Sequence, residues 1–485
     1  MRFLYTVLAL VTTATLLANP AAAQVDTDSA VATTTTQAPV TSAPVVQSSA
    51  TPQTTAAVTA STTPIVITTT TRGAVPTATN TVPGLPANVT LTQQQLLALQ
   101  SSCSTLKSLY SAMGGPGWFV STGWNSTDLT SCCAWSLVVC NNVGVVTQLN
   151  LASNNLQGNI AAVLSQLPGL IHLDMSSNNI TGNIPDNLAG LSTLQVINFE
   201  YNYLSGNLPS SLGALPLLQN LHLRNNSFNG SIPDTWTSLA TLSGLYLSNN
   251  QLSGQLPINF SKLISLKSVA LDGNNFFGSI PSDIGNLTQL QTINLKGNRF
   301  TGSIPTNIGS CVFLNTINFA ANMYLSGSIP DTIGNIPGLQ WLDLSENQLA
   351  GSIPLQIGNL VNLQRLFLQH NLLSGSIPSQ IGLLTSLQYL NINYNQLTGT
   401  FPSIIAPIRL GSCHVTPNQF QTCPSSDVLA NVTSLAYQCY LDCSGTKHNG
   451  TSSAPGSLLG GNVALTNVAY AIVLTTIGMA LLSRS

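Results

Sequence analysis

The sequence predicts an α/β solenoid: a stack of short repeats, each contributing a strand to a parallel β-sheet, closed by a cap at either end. Three observations predict it. An asparagine recurs at a nearly constant interval, leucines surround it in a fixed pattern, and eight of the nine cysteines lie on either side of the repeating region. Self-similarity at a period of 20–50 residues is the mark of a solenoid or array.

The repeats come first. Asn154, Asn178, Asn202, Asn226, Asn250, Asn274, Asn298 and Asn322 follow one another every 24 residues; Asn347 comes after 25, and Asn371 and Asn395 after 24 each. Around each runs the pattern L-x-x-L-x-L-x-x-N-x-L-x-G-x-I-P. The tenth copy shows it with Leu363, Leu366, Leu368, Asn371, Leu373, Gly375, Ile377 and Pro378, followed by Ile381 and Leu384. Eleven copies occupy residues 146–405. The L-x-L core is a short strand with its leucines turned inward. One repeat cannot bury enough surface to offset its ordering entropy, so stacking must supply the rest. The Asn side chain both donates and accepts, and can satisfy buried backbone groups where the chain bends after the strand. Glycine permits tight backbone there, and proline removes a donor where no ladder continues. One extra residue, at Met323-Tyr324, lies after the strand and is expected to bulge at the bend without shifting the sheet register.

The ends of such a stack expose apolar core and need caps. The N-terminal cap is expected over residues 91–145, with a helix over Leu96 to Tyr110, then Gly114-Gly115-Pro116-Gly117-Trp118, Trp124 and Cys132-Cys133-Ala134-Trp135. The C-terminal cap, residues 406–448, holds Cys413, Cys423, Cys439 and Cys443. Those four permit three pairings as two bonds. Cys311, alone in an outer segment, is expected as a buried free thiol.

Outside the caps the sequence carries processing signals. Residues 1–23, with an apolar run before Ala21-Ala22-Ala23, have the pattern of a secretory signal peptide. Residues 24–90 are rich in Thr, Ser, Ala, Pro and Val, the composition of a disordered, O-glycosylated arm. A small, polar spacer (449–462) leads to an apolar tail (463–485) that reads as a GPI signal, with Ser452 the favoured attachment site and Asn449 second; a transmembrane helix is the alternative. Either way the protein is expected at the cell surface, membrane-anchored through its C-terminus. Only 5% of residues are charged and the net charge is -2. No basic patch is present to hold a phosphate backbone, so nucleic acid is not an expected partner.

The GSIP-type repeats and the element Cys133, Trp135, Val139, Cys140 resemble plant-type extracellular leucine-rich-repeat proteins, among them receptor-like protein ectodomains and polygalacturonase-inhibiting proteins. The resemblance covers about residues 91–444. It implies a right-handed curved superhelix with the parallel β-sheet on the concave face and short helical or strand segments outside. It also implies the pairs Cys103–Cys132 and Cys133–Cys140. Leu137 stands where the family usually has glycine, and the Thr-rich arm is foreign to the family. No kinase follows the repeats, so a complete receptor kinase is not expected.

Candidate chemistry is sparse. His172, His222, His370, His414 and His448 form no catalytic or metal-binding constellation in sequence, and Gly114 to Gly117 lacks the spacing of a phosphate loop. No cofactor or metal is expected. The solvent-facing x positions of the strands say more. In repeats nine to eleven they include Trp341, Asp343, Arg365, Phe367, Tyr389 and Tyr394, with Trp341, Arg365 and Tyr389 at equivalent positions. Aromatics beside charges suit sugar rings or peptide side chains; rung-to-rung stacking that only stabilises the sheet is the alternative. Glu200 with Arg224, and Asp272 with Lys296, are placed as surface ion pairs. N-glycosylation sequons occur at Asn88, Asn125, Asn179, Asn225, Asn229, Asn259, Asn286, Asn431 and Asn449. The reading is a non-enzymatic cell-surface recognition module that binds an extracellular protein, peptide or glycan through its concave face. A structural or adhesive wall glycoprotein and an inhibitor of wall-degrading hydrolases are the alternatives.

Overall fold

The computed structural model describes residues 82–441. The leader, most of the arm, Cys443, Asn449, Ser452 and the apolar tail lie outside the described residues. Among those described, no helix is long and apolar enough to cross a membrane.

Each repeat forms one rung. Its strand, such as Arg365–Phe367, joins a 13-stranded sheet in which successive repeats pair parallel and in register, while Val138–Cys140 of the N-terminal cap adds an antiparallel strand at one edge. The central residue of each repeat strand, leucine or isoleucine except for Val269, points into the core; Leu342, Leu366 and Leu390 are all buried. After the bend, a second strand segment pairs with its neighbours in smaller sheets of four and six strands along the flank. Proline then opens a short 3-10 turn on the outer side, as Pro354 does for Leu355–Asn359. Proline suits that place because its fixed φ presets the turn and its missing N–H is not needed. The outer layer is therefore built of 3-10 turns, within the range the family resemblance implies.

The asparagine ladder joins rung to rung. All its members but Asn226 are buried. The Nδ2 of Asn371 donates to Leu368 O (3.1 Å) and Gln369 O (3.4 Å) in its own rung and to Leu344 O (2.9 Å) in the one before. Its Oδ1 accepts from the Leu349 N–H at 3.0 Å. One amide thus satisfies backbone groups of two rungs, as the sequence predicts. The residue just before each ladder asparagine has positive φ on every rung, from Ser153 (51°) to Tyr394 (50°), and only Gly273 and Gly297 are glycines. Asn225 and Asn249, like the two glycines, suit that conformation; at the other seven rungs the bend, held by four bonds, imposes it on residues that do not favour it.

The extra residue bulges where expected. The main sheet keeps its pairing across it, Thr316 to Trp341 and Ile317 to Leu342. Asn347 Oδ1 accepts from the Asn322 N–H (3.0 Å), while the Leu325 N–H turns back to Asn322 O (2.8 Å).

The N-terminal cap contains a helix over Gln93–Ala112, opened by a capping box between Thr92 and Gln95. Trp118, Trp124 and Trp135 are buried beside Tyr110; the Trp118 and Trp124 rings meet edge to face at 4.9 Å. Their indole N–H groups all find oxygens: Met113 O, Ser136 O and Ser131 Oγ. The cap begins earlier than the sequence predicts. Val82 is buried, and Gly84 lies so close to the Cys133 backbone that a Cβ would stand 2.3 Å from it. The chain thus already packs on the cap through Val82 and Leu85, ahead of residue 91. Disulfides link Cys103 to Cys132 and Cys133 to Cys140, the pairs the family resemblance implies.

At the other end, Ser412–His414 adds a twelfth parallel strand, with Cys413 in the leucine slot. Asn418 extends the asparagine ladder, donating to Ile392 O (3.0 Å) and accepting from the Leu397 N–H (3.0 Å). The C-terminal cap thus starts as a degenerate repeat. Cys413 pairs with Cys439, which decides among the three connectivities, and Cys423 is disulfide-bonded as well. Cys311 is a buried free thiol, donating to Ile284 O at 3.5 Å. Burial pushes its pKa up to about 11.

Candidate functional site

The outward face of the main sheet carries the aromatic and charged side chains. On rungs nine to eleven, Trp341, Arg365 and Tyr389 are direct partners in the sheet register. The Arg365 guanidinium lies 5.3 Å from the Trp341 ring centroid and 5.7 Å from that of Tyr389, between the two. A planar cation fits between rings because their faces carry negative quadrupole charge. Arg365 and Tyr389 are exposed and Trp341 half-buried. Phe367, half-buried, occupies the next row between Asp343 and Asn391. Tyr394 is exposed and stacks on His370 at 4.3 Å, nearly parallel. Five of the six predicted residues are thus open or partly open on one face.

Asp343 departs from the prediction. It is buried, at 7% exposure, and not solvent-facing. Its Oδ1 accepts from the Ser345 N–H (3.1 Å) and hydroxyl (2.6 Å), which folds the carboxylate back onto its own strand. Burial raises its pKa; the Ser345 bonds and the charge of Lys296 act the other way, and Glu346 adds to the rise. Three polar atoms in this patch are buried without a hydrogen-bond partner: Trp341 Nε1, Gln369 Oε1 and Asn393 Oδ1. Such atoms carry an unmet desolvation cost, and side-chain rotation toward a polar ligand would relieve it.

A second cluster on the same face, over rungs three to five, is only partly legible in sequence. Glu200 lies 3.3 Å from His222 Nδ1 and 3.7 Å from Arg224. The Arg224 guanidinium sits 4.3 Å from the Tyr246 ring, on which His222 also stacks. The Glu200–Arg224 pair is where the sequence places it. The Asp272–Lys296 pair is not formed: Asp272 accepts from the Ser248 hydroxyl at 2.6 Å instead, and among the described residues the ion pairs are those of Glu200. Sequence reading missed the stackings of His222 and His370; the signal was present, since Tyr246 and Tyr394 each follow their histidine by 24 residues. Among the described residues no group of His, Cys, Asp and Glu could hold a metal ion.

Family models match this arrangement directly. A leucine-rich-repeat model matches residues 145–204, and a single-repeat model matches seven further segments between 217 and 408. The chain is a leucine-rich-repeat protein. Solved structures place its repeats with those of plant extracellular receptors. The plant peptide hormone receptor RGFR1, solved with RGF2, is 36% identical with a TM-score of 0.54, over 55% of this chain and 42% of that one. The leucine-rich-repeat ectodomain of the membrane receptor kinase GASSHO1/SCHENGEN3 from Arabidopsis thaliana, solved with CASPARIAN STRIP INTEGRITY FACTOR 2, is 34% identical with a TM-score of 0.58, over 63% and 36%. The Arabidopsis receptor kinase HAESA, solved with the peptide hormone IDA and the co-receptor SERK1, is 29% identical with a TM-score of 0.57, over 66% and 58%. This leucine-rich-repeat protein spans less than two thirds of each of those chains. Its repeats are similar to those of plant receptor ectodomains.

Proposed function

We propose that this protein is an extracellular recognition module that binds a peptide across the main-sheet face of rungs nine to eleven. The observation that carries the reading is Arg365, exposed between the Trp341 and Tyr389 rings, with Phe367 and Tyr394 beside it. An arginine held in place by two rings loses little further freedom when a carboxylate of a ligand pairs with its outer edge. The rings offer flat apolar area to ligand side chains, the composition of binding hot spots. The reading is supported by the likeness to receptors solved with peptide ligands. It includes no catalytic step, and it keeps the leader and the apolar tail as the proposed route to an anchored place on the cell surface.

The test is selection from a random peptide library on the purified chain, with the enriched peptides then measured on Arg365→Ala and Tyr389→Ala. Each substitution is expected to weaken binding by roughly 5- to 30-fold, the effect of removing an ordinary hot-spot residue. Enrichment of no peptide, or peptides that bind both variants as well as the parent, would reject the reading.

A further inference from the structure

The C-terminal cap carries a cluster of exposed apolar side chains. Ile405, Ile408, Val432, Tyr437 and Tyr440 all stand open to solvent, Ile408 and Tyr440 almost fully, at 90% and 88% exposure. Backbone pairing draws them together. Ile405 forms an antiparallel bridge with Ser434, and the Ala406 N–H donates to Thr433 O at 2.8 Å, which sets Val432 beside the turn from Ile405 to Ile408. Gln438 Nε2 donates to Val432 O at 2.8 Å, so the short helix Leu435–Gln438, with Tyr437 on it and Tyr440 just after it, adjoins Val432. Leu383, exposed on rung ten, extends the cluster, since a Cβ on its neighbour Gly382 would stand 3.2 Å from Ile405 O.

A contiguous apolar cluster on an outer surface marks a contact, and two observations say with what. The first is composition. From Thr400 to Leu441 the charged residues are Arg409 and Asp427, and Arg409 directly follows Ile408 and is exposed. Isoleucines flanked by tyrosine and arginine suit the boundary of a bilayer. The apolar side chains enter it, tyrosine rings lie at headgroup level, and an arginine keeps its stem in the apolar layer while its guanidinium reaches phosphate. The second is the length of chain that follows. Ser452 lies eleven residues beyond Leu441, and the apolar tail begins at Val463, twenty-two residues beyond. Fully extended, those spans reach at most ~40 Å and ~80 Å. An anchor at either place keeps the cap close to lipid, so a face of modest affinity is occupied.

We propose that this end of the solenoid docks on the lipid surface, with Ile405, Ile408, Val432 and Tyr440 at the interface. Docking of this kind rests on the proposed membrane anchor and is independent of the peptide-binding reading. Contact with the acyl boundary removes the apolar cluster from water, and with a single arginine beside it the face needs no anionic lipid. Docking also sets the main-sheet patch near the membrane, since the strands of Tyr389 and Arg365 lie one and two places from Ser412–His414 of the cap. The competing occupant is a sugar: Asn431 heads a sequon beside Val432, its Oδ1 accepting from the Thr433 N–H (3.0 Å) and hydroxyl (2.8 Å).

The experiment is spin labelling of the full chain, expressed in cells and measured in vesicles prepared from their membranes. A nitroxide is attached to Ile408→Cys and, for comparison, to Phe119→Cys, an exposed site on the N-terminal cap. Buried Cys311 does not compete for the reagent at pH 7. Both variants are first checked for parental thermal unfolding. Vesicle flotation reports the anchor. Collision rates with oxygen, which concentrates in lipid, and with a nickel chelate, which stays in water, report the depth of the label. The oxygen-to-nickel ratio at position 408 is expected to exceed that at 119 by roughly 5-fold or more. Adding Ile405→Asp/Tyr440→Asp to the labelled chain should bring it down to the value at 119. A chain that does not float with the vesicles would overturn the anchor and the docking with it. A chain that floats but shows equal ratios at the two positions, or a ratio at 408 indifferent to the aspartates, would overturn the docking alone. A glycan found on Asn431 by mass spectrometry, or dipolar broadening between labels, would then assign the face to sugar or to a second copy.

Discussion

Replacing Asn371 by alanine probes the device that couples one rung to the next. The parent side chain makes three donated bonds, to Leu344 O, Leu368 O and Gln369 O, and accepts one from the Leu349 N–H. The carbonyls are insured. Leu344 O also accepts from Asn347 Nδ2 and Leu368 O from Asn395 Nδ2, both at 2.9 Å, and Gln369 O accepts from the Glu346 N–H. The Leu349 N–H loses its acceptor. An orphaned buried donor costs about 1–3 kcal/mol, and the lost bonds to doubly bonded carbonyls add less than their full value. The expected loss for Asn371→Ala is about 2–4 kcal/mol. Asn362→Ala is the control: that side chain makes one exposed bond, to Pro337 O, and its loss should cost about 0.5 kcal/mol or less. Urea unfolding followed by circular dichroism measures the difference, and hydrogen exchange over residues 344–352 locates it, since repeat arrays open in parts. A loss below about 0.5 kcal/mol with unchanged exchange at Leu349 would refute the view that the ladder works by satisfying backbone donors.

Three further outcomes follow from the structure. Cys311, its pKa raised by burial to about 11, should resist alkylation in the folded protein at pH 8 and react once it unfolds. A raised folded pKa favours the protonated thiol, so its contribution to stability is complete below pH 9 and fades as pH rises toward 11. Cys311→Ala should flatten that part of the stability–pH curve, and an unchanged curve would contradict it. Asp343, also raised by burial, contributes stability that is lost as pH climbs through its folded pKa. Asp343→Asn, which keeps the oxygen facing Ser345 and matches Asn318 and Asn391 at equivalent places, should therefore be at least as stable as the parent at pH 7 by urea unfolding. Opening Cys413–Cys439 with a paired alanine replacement should cost about 2–5 kcal/mol and free the last two rungs first, seen as faster hydrogen exchange at Ile392 and Val415.

Much of the architecture was legible because it repeats. A leucine pattern copied eleven times has one stacked solution, so the strands, the inward leucines, the asparagine bonds and the harmless bulge at Met323-Tyr324 all follow from period and hydrogen-bonding capacity. Where the pattern decays, sequence reading lost the thread. The twelfth rung has cysteine in a leucine slot, and Asn418 comes 23 residues after Asn395, so it read as cap. Val82 lies in a stretch whose composition resembles the arm, yet it is buried against the cap.

The sequence by itself determined the register of the repeats, and with it which side chains are neighbours: Trp341, Arg365 and Tyr389 share a row because they share a place in the period. Tertiary structure decided what those neighbours do. Period is blind to rotamers, so it did not show Arg365 between its two rings, Asp343 turned back onto Ser345, or Asp272 choosing Ser248 over Lys296. It was equally blind to backbone torsion. Leu137, where the family resemblance expects glycine, adopts φ of 69°, and the residue before each ladder asparagine is held in the same region. Apart from the glycines and asparagines among them, these residues do not favour that region on their own. On the rungs the conformation exists because the bonds of the ladder asparagine around the bend outweigh the preference of the residue before it.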